Sequence, residues 1–301
     1  MSLSMREQMA ITIEDLFTQD QRLALLLADI STDLFKKLLR DYPERALNLG
    51  ILEQTLIGVA AGMALENYIP IVHSITPFLV ERPFEQLKND FCYQQLGGNF
   101  ISIGASYDYS TEGMTHHGPG DIQVLRSLPG MQLIVPGTAA EFDTLFRQAY
   151  GNSSPTYYRL SLNTNPTSYP VQFGQLTVIR KGKDATIIAV GPSLAPVLAA
   201  TLDMDITLLY CTTVAPFDAE TLRATLRSNN IVLVEPYYKG VLVADIAAAL
   251  QLTPVRIEAI GVPHQVLTHY GTHLQHDQAL GFTSQGIRQR IERFLAARRD
   301  Y

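Results

Sequence analysis

The chain has 301 residues, of which 47% are hydrophobic and 17% charged, so it is long enough for two domains with full cores. Its formal net charge of -6 argues against nucleic acid or an anionic membrane as the main partner, because both attract cationic surfaces. The two cysteines, Cys92 and Cys211, form no CxxC motif. No run approaches the ~18 apolar residues of a membrane helix, and no secretory signal is read. We therefore expect a cytoplasmic protein without a membrane partner.

Short apolar runs alternate with helix-like segments through the first half of the chain. Continuous apolar strands between helices are typical of a mostly parallel sheet that is covered on both faces, which predicts an α/β fold. The predicted strands are Leu23–Leu27, Ala46–Leu49, Ile69–His73, Phe100–Ile103, Gln132–Val135 and Thr156–Arg159. The predicted helices are Glu53–Glu66, Phe84–Phe91, Ile122–Leu128 and Ala139–Gln148.

The stretch Ser161–Gly174 interrupts this alternation with Pro166, Pro170 and several Ser, Thr and Asn residues, which is typical of a linker. The pattern therefore predicts two three-layer α/β domains, one at residues 1–163 and one at 179–301, joined by a linker at 164–178. In the second half, the predicted strands are Thr186–Val190, Ile206–Leu209, Ile231–Val234 and Arg256–Ala259, and the predicted helices are Leu194–Ala200, Ala219–Leu226, Val241–Leu250 and Gln285–Ala297.

The run Asn48-Leu49-Gly50-Ile51-Leu52-Glu53-Gln54 ends a predicted strand and opens a predicted helix. Glu53 is therefore expected in a first helical turn, at the edge where α/β sheets bind ligands, although a carboxylate there can also simply complement the helix dipole. Gly58 and Gly62 lie one turn apart on this helix. Another backbone can approach it closely there, either from the chain's own sheet or from another subunit.

Two further segments carry candidate functional groups. The first, Pro70–Gln86, contains Phe78, which can stack on a flat heteroaromatic ring or pack in the core. The second, Glu112–Asp121, is a loop rich in glycine, histidine and carboxylates, and such side chains transfer protons near neutral pH. A loop of this composition favours a functional interpretation.

In their order and spacing, these segments resemble the pyrimidine-binding domain of the transketolase family. The second half resembles the family's C-terminal domain, so the resemblance covers nearly the whole chain. The residues that carry it are Asn48–Gln54, the Pro70–Gln86 segment with Phe78-Leu79-Val80-Glu81-Arg82, the Glu112-Gly113-Met114-Thr115-His116 loop, Leu125–Met131, Val135-Pro136, Ala189-Val190-Gly191 and Leu233-Val234-Glu235.

The resemblance implies thiamine diphosphate as the cofactor. Glu53 occupies the position of the glutamate that shares a proton with N1′ of the aminopyrimidine and thereby activates C2 of the thiazolium ring, so it is expected to be catalytic as well as cofactor-binding. Phe78 is expected to stack on the pyrimidine. Ile51 and Asp29 are expected beside the cofactor.

The same resemblance implies a substrate site. His116 is expected to contact the substrate and to move protons, with His117 beside it, and Glu112 to hydrogen-bond a sugar hydroxyl. Arg159 matches a family arginine that contacts a substrate phosphate, where a forked cation suits the oxygens. A salt bridge at the domain edge explains Arg159 equally well.

The sequence differs from the family pattern in the pocket for cofactor and substrate, and it lacks the family's motif for binding the diphosphate. Ile75, Gly104 and the Lys239–Val241 region differ from the family pattern, which bears on sugar-phosphate activity more than on cofactor binding. In the family, a Gly-Asp-Gly motif holds the diphosphate through Mg²⁺ or Ca²⁺, whereas the Gly120-Asp121 pair here is followed by isoleucine.

A separate polypeptide is therefore expected to complete the site. This partner would be an N-terminal-type subunit that binds the diphosphate and the divalent metal, and the assembly would be a heterotetramer of two small and two large chains in which this chain forms a homodimer. His269, His273 and His276 have a spacing compatible with a metal site on a helix, but Gly271 indicates a loop. No metal ligand is expected in this chain, and the role of the three histidines stays open.

The predicted function is that of one subunit of a split transketolase-like transferase, which moves two-carbon ketol or acyl units from a sugar or 2-oxoacid. The enzymatic alternatives are a carboligase resembling deoxyxylulose-phosphate synthase, towards which Thr115–Gly118 and Asp121 point, and the β subunit of a 2-oxoacid dehydrogenase E1. An alternative from another class is a non-catalytic regulatory or assembly subunit. The joint retention of Glu53, Phe78 and His116 argues against that alternative.

Overall fold

Two mostly parallel sheets with packed helices form the frame of this computed structural model, which describes residues 3–297. The first sheet has seven strands in the order β10-β5-β6-β4-β3-β1-β2, and all neighbours except β10 and β5 are parallel. Its strands are β1 Leu23–Leu27, β2 Ala46–Asn48, β3 Ile69–Ile75, β4 Gly98–Ile103, β5 Gln132–Ile134, β6 Pro155–Arg159 and β10 Thr213–Ala215.

Successive side chains of the first sheet enter two different hydrophobic clusters, one on each face. In β1, Leu26 belongs to one cluster, whereas Leu25 and Leu27 belong to the other. Period-two alternation between two buried faces requires helices on both sides of the sheet. Those helices are α1 Met5–Gln19, α2 Lys36–Asp41, α3 Glu53–Leu65, α4 Thr76–Val80, α5 Phe84–Gln86, α6 Asp121–Leu125 and α7 Ala139–Ala149.

The second sheet has five strands in the order β12-β11-β8-β9-β7, of which only the edge strand β7 runs antiparallel. Its strands are β7 Leu176–Arg180, β8 Thr186–Val190, β9 Thr207–Cys211, β11 Asn230–Tyr238 and β12 Arg256–Val262. The accompanying helices are α8 Leu194–Ala200, α9 Ala219–Thr225, α10 Val243–Leu250, α11 His273–Leu280 and α12 Ser284–Ala296. The predicted α/β class with two mostly parallel sheets is confirmed.

Several elements differ from the predicted pattern. The helix α1 was not predicted, although a capping box formed by Ser4 and Glu7 begins it and it packs against α7. The predicted helix Phe84–Phe91 is a short α-helix that continues as a π-helical turn, Leu87–Tyr93. The strand β7 begins inside the range predicted as a linker, so the domain limits remain a prediction.

The strand β10 crosses between the two halves of the chain. It follows β9 of the second sheet but pairs with β5 of the first, with Thr213 opposite Ile134. One large hydrophobic cluster accordingly contains residues from both sheets, including Leu133 and Leu209. The two halves therefore share a packed junction. Among residues 3–297, no helix combines the length and the hydropathy that crossing a bilayer requires.

Candidate active site

Glu53 is the first residue of α3 and its side chain is only 4% exposed. The loop before it is organised by the amide of Asn48, whose Oδ1 accepts hydrogen bonds from the backbone N–H groups of Asp29 at 2.9 Å and Gly50 at 3.2 Å. The same amide donates to the Asp29 carboxylate at 3.1 Å. The ends of β1 and β2 thus bring the predicted cofactor residue Asp29 to the loop that leads into Glu53.

An ion pair partners the buried carboxylate. Nη1 of Arg82 donates to Oε1 of Glu53 at 2.8 Å, while the arginine side chain remains 44% exposed. The guanidinium carbon lies 3.8 Å from the centre of the Phe78 ring, in cation–π contact. Phe78 lies in α4, and Arg82 lies in the turn that follows this helix. Arg82 appears in the sequence motif, but its role as partner of Glu53 was not predicted.

Phe78 connects this carboxylate to the predicted proton-transfer residue. Its half-buried ring meets that of His116 edge to face, with centroids 5.1 Å apart and planes at 70°. His116 is also held by Thr115, whose Oγ1 lies 3.0 Å from Nδ1 of the imidazole. Glu53, Arg82, Phe78 and His116 therefore form one continuous series of contacts. Sequence reasoning had selected three of these four residues.

Apolar residues are exposed beside the buried carboxylate. Ile51 and Leu52 precede Glu53 and are 65% and 56% exposed. The site therefore combines exposed aliphatic side chains and a partly exposed aromatic ring with the hydrogen-bonding groups of Glu53 and Arg82. Such a surface can bind a ligand that combines apolar area with a few hydrogen-bonding atoms.

Two further predicted substrate residues, Glu112 and His117, lie in the loop between β4 and α6. Glu112 ends a 3₁₀ turn and is exposed, and Gly113 follows it with φ of +72°. His117 is buried, and neither ring nitrogen has a hydrogen-bond partner among the described residues. Burial lowers the pKa of His117, and the neighbouring His276 and His116 lower it further. His117 is therefore neutral near pH 7.

Arg159 lies in a buried ion pair with Asp121. Each side chain is 1% exposed, and Nε of the arginine donates to Oδ2 of the aspartate at 2.7 Å. The same oxygen accepts from the hydroxyl of Tyr157 at 2.8 Å, and Nη2 of Arg159 donates to Oγ of Ser106 at 2.7 Å. This geometry matches the salt-bridge alternative for Arg159. Its contact with a substrate phosphate stays a prediction.

A cavity of about 300 Å³ opens beside Arg159 at the junction of the two halves. Its polar walls include Asp108, Asn163, His273 and Asp277. His273 lies between the two carboxylates, 3.4 Å from each, and Asn163 contacts its Nε2 at 3.0 Å. The structure thus places His273 and His276 on α11 against the first half of the chain. Among the described residues, no group of three or more His, Cys, Asp or Glu side chains is arranged to hold a metal ion.

Two family models match the chain in sequence. The model of the transketolase pyrimidine-binding domain covers residues 1–166, and that of the transketolase C-terminal domain covers residues 174–287. The chain belongs to the transketolase family. It is a transferase of the transketolase type, and membership of this family implies thiamine diphosphate as the cofactor.

Individual relatives of this transketolase-family chain match it over most of their length. An uncharacterized 33.6 kDa protein in a fasciation locus of Rhodococcoides fascians is 38% identical over 94% of this chain and 92% of its own. An apulose-4-phosphate transketolase subunit of Actinobacillus succinogenes is 28% identical over 72% of this chain and 75% of its own. A split gene transketolase, solved as an inactive beta4 tetramer, has a TM-score of 0.86 at 26% identity and covers 99% of this chain and 100% of its own.

The side chains around Glu53 fit the pyrimidine half of thiamine diphosphate. Glu53, Phe78 and the exposed Ile51 offer an acid, an aromatic ring and an aliphatic contact, and an aminopyrimidine can hydrogen-bond to such an acid and stack on such a ring. Asp121, the acid of the single Gly-Asp pair, is buried and accepts from Arg159 and Tyr157. It is therefore not available as a ligand for the metal of a diphosphate.

Proposed function

We propose that this chain is the pyrimidine-binding subunit of a split transketolase and transfers two-carbon ketol units only when a separate diphosphate-binding subunit is present. The observation that carries the proposal is the buried carboxylate of Glu53, which opens α3 beside Phe78 and the exposed Ile51. Similarity to one subunit of an apulose-4-phosphate transketolase and to a split gene transketolase supports a separate partner. In this proposal, the partner holds the diphosphate through Mg²⁺ or Ca²⁺.

Each residue of the series has a distinct task. When bound, thiamine diphosphate supplies the electron sink for carbon–carbon bond cleavage and formation. Glu53 holds a proton on its carboxyl at the pyrimidine N1′, and Phe78 provides the stacking surface for the ring. Arg82, at 2.8 Å from the carboxylate, balances the charge of Glu53 when no proton is held. Asp29 and Ile51 border the ring.

His116 and its loop act on the substrate. The imidazole of His116, oriented by Phe78 and Thr115, moves protons at the substrate oxygen. Glu112 is exposed and free to accept a hydrogen bond from a sugar hydroxyl. The carboligase alternative stays open, because Asp121 and the Thr115–Gly118 segment still resemble that group of enzymes. A panel of ketose donors and 2-oxoacids, assayed with the assembled complex, distinguishes the transketolase from that alternative and from a 2-oxoacid dehydrogenase.

The outer face of α3 supports an assembly between copies of the chain. Gly58 is exposed, and a side chain added at Gly62 would meet nothing within 4 Å. The close approach that the two glycines permit is therefore not used by the chain's own sheet. A second copy packed on this face would form the homodimer, and the mass of the chain in sedimentation equilibrium measures that state.

The decisive experiment uses Glu53→Gln in the chain co-expressed with a partner that carries a Gly-Asp-Gly motif. We expect hydrogen–deuterium exchange at C2 of the bound thiamine diphosphate, followed by proton NMR, to fall by about 100-fold or more, because removal of a positioned acid–base group costs roughly 10²–10⁴-fold. Glutamine keeps the size of the side chain and can still accept from Arg82.

Glu66→Gln is the matched control, because Glu66 is an exposed residue at the opposite end of the same helix and its substitution changes the charge equally. The control variant should exchange at the wild-type rate. Wild-type exchange in a cofactor-loaded Glu53→Gln complex would refute the proposal. If the wild type and both variants bind cofactor but none turns over a ketose or a 2-oxoacid, the result supports the alternative of a non-catalytic regulatory subunit.

A further inference from the structure

The loop between β4 and α6, residues 104–120, carries Glu112, His116 and His117, and we call it the substrate loop. It contains two 3₁₀ turns, Ser110–Glu112 and Met114–His116, and one isolated β-bridge between Ser106 and Gly118, but no longer regular element. Long connections of this kind are mobile unless other parts of the protein hold them. Both halves of the chain hold the substrate loop, and the second half contributes contacts at its start, its middle and its end.

Tyr107 is the buried anchor of the substrate loop. Its side chain is 3% exposed, and it packs in a small hydrophobic cluster with Val262 and Leu267, both from the second half. The rings of His273 and His276 on α11 lie against it, with centroids at 4.7 and 5.0 Å. A first-half aromatic side chain is thus inserted into a pocket built by second-half residues.

A charge-assisted hydrogen bond holds the Tyr107 side chain in this pocket. The hydroxyl of Tyr107 donates to Oδ1 of Asp277 at 2.6 Å, across 170 residues of sequence. The next loop residue, Asp108, is buried beside His273, whose Nδ1 lies 3.4 Å from its carboxylate. Bonds to an ionised acceptor are about twice as strong as neutral ones, so the Tyr107–Asp277 bond is a main restraint on the start of the loop.

A second contact holds the middle of the substrate loop next to Glu112. Tyr270 lies over Gly113, so closely that a Cβ added there would come within 2.7 Å of the tyrosine Cε1. The positive φ of Gly113 also disfavours any larger residue. The buried His117 meets His276 of α11 edge to face at 5.6 Å. Contacts from residues 270–277 therefore bracket the segment that bears both Glu112 and His116.

We propose that Tyr107 and Tyr270 are positioning residues, through which the C-terminal half of the chain orients the substrate loop. This inference rests on the proposed function, because it assigns Glu112 and His116 to the substrate. Groups that act on a substrate must be held within a fraction of an ångström, and a displacement of about 1 Å can cost 10²-fold in rate. His273 and His276 then serve the packing of this loop.

The first test uses the isolated chain and needs no activity. Tyr107→Phe removes the hydroxyl and keeps the ring, and we expect amide hydrogen exchange in a peptide spanning residues 109–118 to accelerate by about tenfold, as the loss of one hydrogen bond to a charged acceptor predicts. Asp277→Ala removes the acceptor of the same bond and also a contact with His273, so its effect should be at least as large, and the double variant should add little to Asp277→Ala.

Tyr93→Phe is the matched control, since Tyr93 is 84% exposed and lies outside the substrate loop, in the π-helical turn. This control should leave exchange in the substrate loop unchanged. Tyr107→Ala removes the whole anchor and should accelerate exchange further. Wild-type exchange of residues 109–118 in both folded Tyr107 variants would overturn the inference, whatever the enzyme turns over.

The second test uses the assembled complex and separates positioning from cofactor activation. Tyr107→Phe and Tyr270→Ala should lower kcat/KM for the substrate by roughly tenfold, while hydrogen exchange at C2 of bound thiamine diphosphate stays at the wild-type rate. Tyr270→Phe should restore the Tyr270→Ala loss, since the contact with Gly113 is made by the ring. Loss of C2 exchange in these variants would instead place the defect at Glu53 and contradict the positioning role.

Discussion

Replacement of Asp121 by asparagine should destabilise the chain strongly, because it removes the negative charge from a fully buried ion pair. Asp121 and Arg159 are each 1% exposed and 2.7 Å apart. Loss of one partner from such a pair leaves an uncompensated buried charge, which costs about 3–5 kcal/mol. Asparagine can still accept from Tyr157, so we expect a value near the lower limit, about 3 kcal/mol.

The measurement is urea unfolding of the isolated chain, followed by circular dichroism and fluorescence to test whether the transitions coincide. The control is Asp41→Asn, which breaks an ion pair with Arg40 of the same 2.7 Å length at the surface. Exposed pairs contribute about 0–1 kcal/mol, so the control should unfold almost at the wild-type midpoint.

A double variant tests the cause of the loss. Asp121→Leu with Arg159→Met removes both charges, and we expect it to be more stable than Asp121→Asn, because no charge is left buried alone. If Asp121→Asn costs no more than Asp41→Asn, the argument from burial is wrong. The outcome also bears on Arg159, since a substrate phosphate would have to compete with Asp121 for the same guanidinium.

The parts of the fold that sequence reasoning predicted are those with a local signal. The strands β1 and β8 are wholly buried and appear in the sequence as uninterrupted apolar runs between helices. The helix α1 carries a weaker signal, because polar and apolar residues are mixed along it, and it was not predicted. The pairing of Thr213 in β10 with Ile134 in β5 joins residues far apart in sequence, so no local pattern could reveal it.

The residues of the candidate site likewise divide into those that a sequence motif identifies and those that only the packing of the chain brings together. Glu53, Phe78 and His116 could be selected because the family motifs give their order, and the structure brings Phe78 and His116 into contact. The pairing of Glu53 with Arg82 joins the start of α3 to the turn after α4, so no local pattern could reveal it. The bond between Tyr107 and Asp277 could not be predicted either, because it depends on how the two halves of the chain pack.

Two further substitutions test the second sheet. Burial raises the pKa of Glu235 to about 7, so the stability it contributes is complete below about pH 4.5 and is lost as the pH rises through 7. Relative to Glu235→Gln, the wild type should lose about 3 kcal/mol of unfolding free energy between pH 4.5 and 8, and parallel pH profiles would contradict this assignment. Gly191→Ala should cost about 2–3 kcal/mol, because φ is +49° and the new Cβ would lie 2.8 Å from the carbonyl oxygen of Val135. Gly151→Ala, which meets nothing within 4 Å, should change the urea midpoint little; equal losses in both variants would show that the contact with Val135 is not the cause.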